Sequence, residues 1–370
     1  MKSIVYLGMD VHKESYTICV YEMESDSVKY QQKMVSDYKN ILKYVDRIRN
    51  IYGKGYDVVC GYEAGCLGYS LYHQLTSHGI NCIILAPTTM AITSAKRIKT
   101  DKRDAGAIAR CMAFRSYSEV YVPTKKDESV KEYIRMRDTH KDALKRVKQQ
   151  LLSFTLRLGF NFDGKSYWTI RHIKWLKSLE MDELFKETLD EYMLTYEQLT
   201  DKIERLDQRI EELAQEEEYR ENVNKLKCFI GIKTHTALSF VVETGDFKRF
   251  AKANNYASFL GLVPGEDSSG NKHNGLSITK AGNRHLRTLL TEAAQSYSRG
   301  QIGHKSIELK KRQLGNEPKV IAYADKANER LRRKYYKMTL GRCKNGNIAK
   351  TAVARELSCF IWGMMTDSLE

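Results

Sequence analysis

Proline is scarce, with four residues in 370, which argues against long disordered linkers. Long apolar runs are missing too. None reaches the ~20 residues that a membrane-spanning helix needs, so membrane insertion is not expected. The opening Met1-Lys2-Ser3-Ile4-Val5 passes straight into strand-like sequence, without the apolar core and cleavage site of a signal peptide. A cytoplasmic protein is the expectation. Eight cysteines are present, yet no two are spaced C-x-x-C. Most sit inside apolar patterns, as reduced core thiols do, so neither a disulfide framework nor a structural zinc site is expected. Acid is short relative to base: Lys+Arg number 61 against 46 Asp+Glu, for a formal net charge of +15. That excess points to a polyanion, nucleic acid ahead of an anionic membrane surface.

A chain of this length should hold two or three domains and can bury a sizeable core. Residues 4–9 form a short apolar run typical of a buried strand, ending at Asp10. Residues 16–21 and 27–35 read as two more strands, 37–52 as an amphipathic helix, and 57–62 as a fourth strand ending at Glu63. A helix over 67–78, a strand over 80–85 closed by Pro87 and a helix opening at Asp101 complete the series. The order β-β-β-α-β-α-β-α predicts an α/β mixed sheet with helices on both faces. It is the order of the ribonuclease-H-like fold. If strands one and four are parallel neighbours, Asp10 and Glu63 emerge side by side at their carboxyl ends, where open sheets place ligand crevices.

Lys99-Thr100-Asp101-Lys102-Arg103-Asp104 opens the last of these helices. Asp101 and Asp104 are three apart, so they share one helix face, and the helix N-terminus favours their charge. Lys96, Arg97, Lys99, Lys102 and Arg103 crowd the same two turns. Carboxylates in a cationic collar suit a metal working on a phosphodiester: the metal needs oxygen ligands and the substrate needs positive charge. Capped, ion-paired aspartates at an exposed helix start would look the same in isolation. Four acids in four matching slots favour the metal site.

Residues 127–158 are helical and strongly basic, with Arg135, Arg137, Lys141, Lys145, Arg146, Lys148 and Arg157 among apolar neighbours. Residues 180–226 predict one long helix with near-heptad leucine and isoleucine and Glu-rich faces. It is either a coiled coil between chains or a hairpin within one. Cys228-Phe229-Ile230-Gly231-Ile232-Lys233-Thr234 reads as the hairpin of a helix-hairpin-helix module, its amides offered to a phosphate, or as a plain helix corner. Val263-Pro264-Gly265-Glu266-Asp267-Ser268-Ser269-Gly270 is a loop of small residues where a hydroxyl can be exposed and backbone can approach a substrate. Beyond it Lys272, Lys280, Arg284 and Arg287 are spaced to reach phosphates. The tail stays basic, and Arg330-Leu331-Arg332-Arg333-Lys334-Tyr335-Tyr336 interleaves guanidinium with phenol groups, as nucleic-acid contact favours. Residues 352–365 predict a core helix.

Four stretches together carry a family resemblance: Gly8-Met9-Asp10-Val11-His12-Lys13, Tyr62-Glu63-Ala64, Thr100-Asp101-Lys102-Arg103-Asp104-Ala105, and Ser269-Gly270 with Thr279-Lys280-Ala281-Gly282-Asn283-Arg284-His285-Leu286-Arg287 downstream. In these the chain resembles the DEDD transposases of bacterial insertion sequences, the insertion-sequence one-ten family, over nearly its full length. The resemblance implies a RuvC-like DEDD domain over 1–126, a helical or coiled-coil dimerisation region over 127–226, and a mainly α C-terminal transposase domain over 227–370. It implies that Asp10, Glu63, Asp101 and Asp104 bind Mg2+, and that Ser269, with Ser268 beside it, is the nucleophile of a transesterification through phosphoserine. Lys99, Lys102, Arg103, Lys272, Lys280, Asn283, Arg284, Arg287, Arg332, Arg333 and Lys334 are expected to contact nucleic acid. The implied partners are donor and target DNA, a structured non-coding bridge RNA that guides the reaction, and further copies of the chain, dimers pairing into a homotetramer. Two other readings stay open: a RuvC-like Mg-dependent junction nuclease that never uses Ser269, and a non-catalytic nucleic-acid scaffold.

Overall fold

The computed structural model describes residues 3–53, 55–65, 67–90, 101–269 and 272–369, with backbone alone at Thr88, Asp101, Lys102, 266–269 and 272–275. The chain forms two compact units, residues 1–122 and 123–370.

The first unit holds β1 (Ser3–Val11), β2 (Ser15–Glu22), β3 (Ser27–Val35), α1 (Tyr38–Tyr52), β4 (Tyr56–Glu63), α2 (Ser70–Ser77), β5 (Asn81–Leu85) and α3 (Asp101–Ala113). Its sheet has the order β3-β2-β1-β4-β5. The β1–β2 and β2–β3 pairs are antiparallel, and β1–β4 and β4–β5 are parallel. This is the mixed sheet expected from the element order. Alternation along β1 sorts the two layers. Val5, Leu7 and Met9 bury against Ile41, Val45 and Ile48 of α1 and Leu71 and Leu75 of α2. The opposite face, with Cys19 and Tyr21, takes Ala105 and Ala109 of α3. Cys19, Cys60, Cys82, Cys111 and Cys228 are free and buried; burial pushes the Cys19 and Cys60 thiols up to about 12.

The second unit comprises α4 (Lys125–Arg157), α5 (Ile170–Lys177), α6 (Glu183–Ala214), α7 (Glu217–Leu226), α8 (Thr234–Thr244), α9 (Ala253–Phe259), β6 (Pro264–Ser269), β7 (Lys272–Ile278), α10 (Arg284–Gln295), α11 (Ile307–Gln313), α12 (Pro318–Tyr336) and α13 (Gly346–Met365). α4 and α6 run antiparallel: Arg137 meets Asp207 (2.7 Å) near one end and Phe154 meets Phe185 and Tyr192 near the other. The single helix expected over 180–226 is instead two. The chain turns at Gln215 and Glu216, which lets Tyr219, Val223 and Leu226 of α7 enter the core shared with Leu357 and Ile361 of α13. Burying those side chains outweighs continuing the helix, a choice no local pattern announces. No helix among the described residues is long and apolar enough to cross a membrane.

At the far end of α4 and α6, His172 is fully buried among Phe162, Tyr167, Trp168 and Trp175. Its Nδ1 accepts from the Trp168 N–H (3.2 Å), while Nε2 meets no partner among the described residues. Burial lowers its pKa below the ordinary 6.5. Below about pH 6.5 the unfolded chain therefore binds a proton that the folded chain refuses, and stability falls as pH falls. Thermal melts should decline between pH 6.5 and 5, and the slope of Tm against pH should flatten in His172→Asn. An unchanged slope in that variant would dismiss the assignment.

Candidate functional site

β1 and β4 lie in parallel register, Gly8 opposite Gly61 and Met9 opposite Tyr62. Asp10 and Glu63 are the next residues on each strand, so they share one edge and one face of the sheet. That face is covered by α3, and two glycines admit it. A Cβ on Gly8 would sit 2.1 Å from the Ala105 carbonyl oxygen, and one on Gly61 2.4 Å from Met112 Sδ. The direction of α3 follows from its far end. Arg110 donates to both carboxylate oxygens of Asp26 (2.7 and 3.0 Å), in the β2–β3 turn beside the amino end of β1. Earlier in the helix, Ala105 packs on Gly8. α3 thus runs antiparallel to β1, and the turn carrying Asp101 and Asp104 begins at the edge where Asp10 and Glu63 emerge. The N-terminus of the helix adds positive potential there.

The Asp10 side chain is 15% exposed, with His12 Nε2 3.2 Å from its Oδ2. Glu63 is exposed and Asp104 half-buried. An all-carboxylate donor set has the chemistry of a hard divalent cation site. Among the described residues no three His, Cys, Asp or Glu side chains come close enough to hold a metal, and the Asp101 side chain is not one of those described. Lys99 lies outside the described residues, as does the side chain of Lys102; Arg103 is exposed. His12 was given no role from sequence, because its place beside Asp10 depends on how the chain leaves β1.

Ser268 and Ser269 close β6, paired with His273 and Lys272 of β7. They lie in a two-stranded ribbon and not in an irregular loop, the run of small residues having hidden the alternation of a strand. The base of this hairpin is fastened to the end of α9 and to the turn beyond it: Thr279 N donates to Val263 O (2.9 Å), Lys280 N to Gly261 O (3.0 Å) and Asn283 N to Phe259 O (2.9 Å). At Gly282 φ is +90°, and a Cβ would lie 2.0 Å from Phe259 O, so only glycine fits. Asn283 caps α10, its Oδ1 accepting from Leu286 N (3.0 Å), while its Nδ2 donates to Glu243 (2.9 Å).

Several residues expected to contact nucleic acid also have partners inside the protein. Both ends of the Asn283 amide are used inside the protein. Arg332 is buried, 7% exposed, and donates to the carbonyls of Gln301 and His304 (3.2 Å for the latter), so it fastens a loop to α12. Arg287 is half-buried with one guanidinium nitrogen on Leu260 O (2.9 Å); burial, then the charge of Arg284, lowers its pKa. Arg333 pairs with Glu329 (2.5 Å) and Lys334 with Glu356 (2.6 Å). Although burial acts to raise it, Lys334 and Arg330 hold the Glu356 carboxyl below its ordinary range. Lys280 and Arg284 are exposed; the side chain of Lys272 is not described. The Gly231 turn is a packed corner. A Cβ on Gly231 would meet Ala293 O at 2.4 Å, and Ile230 N donates inward to Asn328 (2.9 Å).

Sequence reasoning also missed a polar cluster under the α10 entry. Glu243, its side chain 4% exposed at the end of α8, accepts from Arg135 (2.7 and 3.1 Å) as well as from Asn283. Asp138 lies 2.9 Å from His235 Nε2, 3.1 Å from Arg137 and 3.8 Å from His285 Nδ1. Burial acts to raise the Asp138 pKa, but His235, Arg137 and His285 hold it below the usual range. Burial lowers the His285 pKa against the pull of Glu243 and Asp138. The one local hint was a lone glutamate in the apolar run of α8.

Comparison with known proteins finds family matches along both parts of the chain. Residues 7–160 match a family model described as a DEDD transposase of the IS110 type, and residues 223–306 match the transposase IS116/IS110/IS902 family. The chain is 34% identical over 343 residues to the transposase for insertion sequence element IS1533 of Leptospira borgpetersenii, covering 90% of this chain and 96% of that one. It is 30% identical to y4qE of Sinorhizobium fredii, named as a candidate transposase, over 98% and 89% of the two chains. The transposase for insertion sequence element IS1111A of Coxiella burnetii is 26% identical, over 84% and 83%.

Proposed function

Since this chain belongs to the IS110 family of DEDD transposases of insertion sequences, enzymes of DNA recombination, we propose that it is an RNA-guided DNA recombinase using Ser269 as its nucleophile. The observation that carries the acidic half is the shared sheet edge: Asp10 and Glu63 one residue beyond paired Met9 and Tyr62, with the start of α3 brought to the same edge. We assign Asp10, Glu63, Asp101 and Asp104 to Mg2+, which when bound would polarise the scissile phosphate and neutralise charge on the leaving oxygen. Residues 1–126 are assigned to a RuvC-like DEDD domain, 127–226 to dimerisation and 227–370 to the transposase domain carrying Ser269. Dimers pair into a tetramer, so that acids and serine can come from different subunits.

The chemistry is a double exchange. Ser269 Oγ attacks phosphorus; the Oγ–P bond forms, the P–O3′ bond breaks, and the departing 3′-oxygen takes a proton. The 3′-hydroxyl of the partner strand then attacks the same phosphorus, forming the new phosphodiester and returning a proton to the serine. One bond forms for each that breaks, so no ATP is consumed. A serine hydroxyl needs activation at neutral pH, and the carboxylates at the sheet edge are the groups assigned to it. Exposed Lys280 and Arg284 face solvent, where a DNA backbone can reach them. A structured non-coding bridge RNA pairing with donor and target supplies sequence choice, leaving the protein to bind backbone.

The test is to trap the reaction of protein, Mg2+, guide RNA and DNA in denaturant and map the product by peptide mass spectrometry. A phosphoserine-linked nucleotide on the peptide containing Ser269 is expected. Cleaved DNA with no covalent protein species would favour the alternative, a RuvC-like junction nuclease acting by hydrolysis.

A further inference from the structure

We propose that the open groove between α4 and α10 holds, by its phosphates, the DNA strand that runs to the serine hairpin; this rests on the serine reading above. The groove has a volume of about 1130 Å3, and Arg135, Lys141, Lys145, Lys148 and Arg284 line it against three acids. Setting aside one engaged group of each sign leaves Lys141, Lys145, Lys148 and Arg284 facing Asp142 and Glu292, the same excess of positive charge. Asp138 is already engaged by Arg137 and lies against His235, and Arg135 is neutralised by its bidentate pair with Glu243. Lys141 has only a distant approach to Glu292 (3.8 Å). Lys145 and Arg284 are exposed and meet no carboxylate within 4 Å among the described residues. Cations held apart from acids along a groove are costly by mutual repulsion, and a polyanion relieves that cost.

Spacing favours a strand over a compact anion. Lys141, Lys145 and Lys148 lie four and three apart, on one face of α4, over a rise of about 10 Å. Phosphates of one B-form strand rise about 3.4 Å each along the duplex axis, so this row is long enough to face more than one of them. At the far end Lys148 Nζ rests over the rings of Trp168 (5.2 Å) and Tyr196 (5.4 Å), which fixes the row's last member. At the near end the wall is the Gly282–Asn283–Arg284 turn. That turn is continuous with β7 and tied to Phe259 just before β6. A strand leaving the groove there meets the hairpin that carries Ser269, and because serine chemistry acts on DNA, DNA is the occupant assigned.

The experiment compares the full-length protein with Lys141→Glu/Lys145→Glu, two exposed positions, by fluorescence anisotropy on a labelled DNA duplex and on a structured RNA of equal length, without Mg2+. DNA affinity should fall at least 10-fold at 0.1 M salt, and the slope of log K against log salt should lose about 2. RNA affinity should change less than threefold. Lys145→Ala, expected to weaken DNA about threefold with the wild-type melting curve, separates a binding loss from a folding loss. Unchanged DNA affinity and slope in both variants would overturn the proposal, and so would an equal loss for RNA. Adduct mapping on the wild type is read separately: DNA binding lost in the variant but no wild-type adduct keeps the groove and removes the serine reading, while the reverse removes the groove alone.

Discussion

Ser269→Ala is expected to abolish strand exchange, by at least about 1,000-fold, while leaving DNA and RNA affinity within threefold of wild type. Removing a nucleophile leaves the acids and bases around it nothing to act through, so single losses of this kind approach the loss of the whole set. The neighbouring substitution is the informative control. Consecutive positions of a strand belong to opposite faces of the ribbon, and Ser268 and Ser269 are consecutive in β6, so the two cannot serve interchangeably. Ser268→Ala should retain exchange within about tenfold. Loss in Ser268→Ala with activity in Ser269→Ala would move the nucleophile by one residue; an unchanged rate of DNA cleavage in both, without joining, would point to hydrolysis. Asp10→Asn, which keeps the shape of a half-buried side chain at the end of β1 and removes its charge, should match Ser269→Ala in the exchange assay. Neither variant should leave an adduct, but Ser269→Ala should still show metal-dependent tightening on DNA that Asp10→Asn lacks.

Gly8→Ala, the smallest possible change, should destabilise the first unit by about 3 kcal/mol or more, roughly 10 °C in its melting temperature. The added carbon would stand 2.1 Å from Ala105 O, 2.4 Å from Ala109 N and 2.8 Å from Ala109 Cβ. Two of these are backbone atoms of α3, which cannot swing aside as the end of a long side chain can. Relief requires the helix to lift from the sheet, and α3 is the element that brings Asp101 and Asp104 to the edge shared by Asp10 and Glu63. Exchange should therefore fall further than stability alone accounts for at a temperature where the variant is still folded. Gly55→Ala, with nothing within 4 Å of the added carbon, should stay within about 0.5 kcal/mol of wild type. A Gly8→Ala protein melting like Gly55→Ala would mean that α3 does not rest on β1 as described.

Much of the first unit was legible before any coordinates, and much of the second was not. Strand runs such as 4–9 and 57–62 announce themselves by local composition, and the acids that end them sit where turn chemistry ends strands. Parallel pairing of β1 with β4 was a condition of that reading, compatible with connection by a crossover helix, and the structure supplies it. The roles of the arginines could not be read this way. Arg332 and Arg333 are adjacent in one basic run, yet one is buried on two carbonyls and the other is exposed beside Glu329. Helical phase within α12 and the position of a loop some thirty residues earlier separate them, and only packing supplies both.

By itself, then, the sequence determined the order of elements along the first unit, the acids that end its strands, the basic excess and the family. These depend on short-range periodicity and on residue types, which are written locally. Tertiary structure alone decided that α6 and α7 are separate, that the serines lie in a ribbon, that Asn283 and Arg332 have partners inside the protein, and that Glu243 and Asp138 lie beneath the α10 entry. Each of those rests on which distant side chains compete for the same buried space and the same hydrogen bonds, and that competition has no signature within a single stretch of chain.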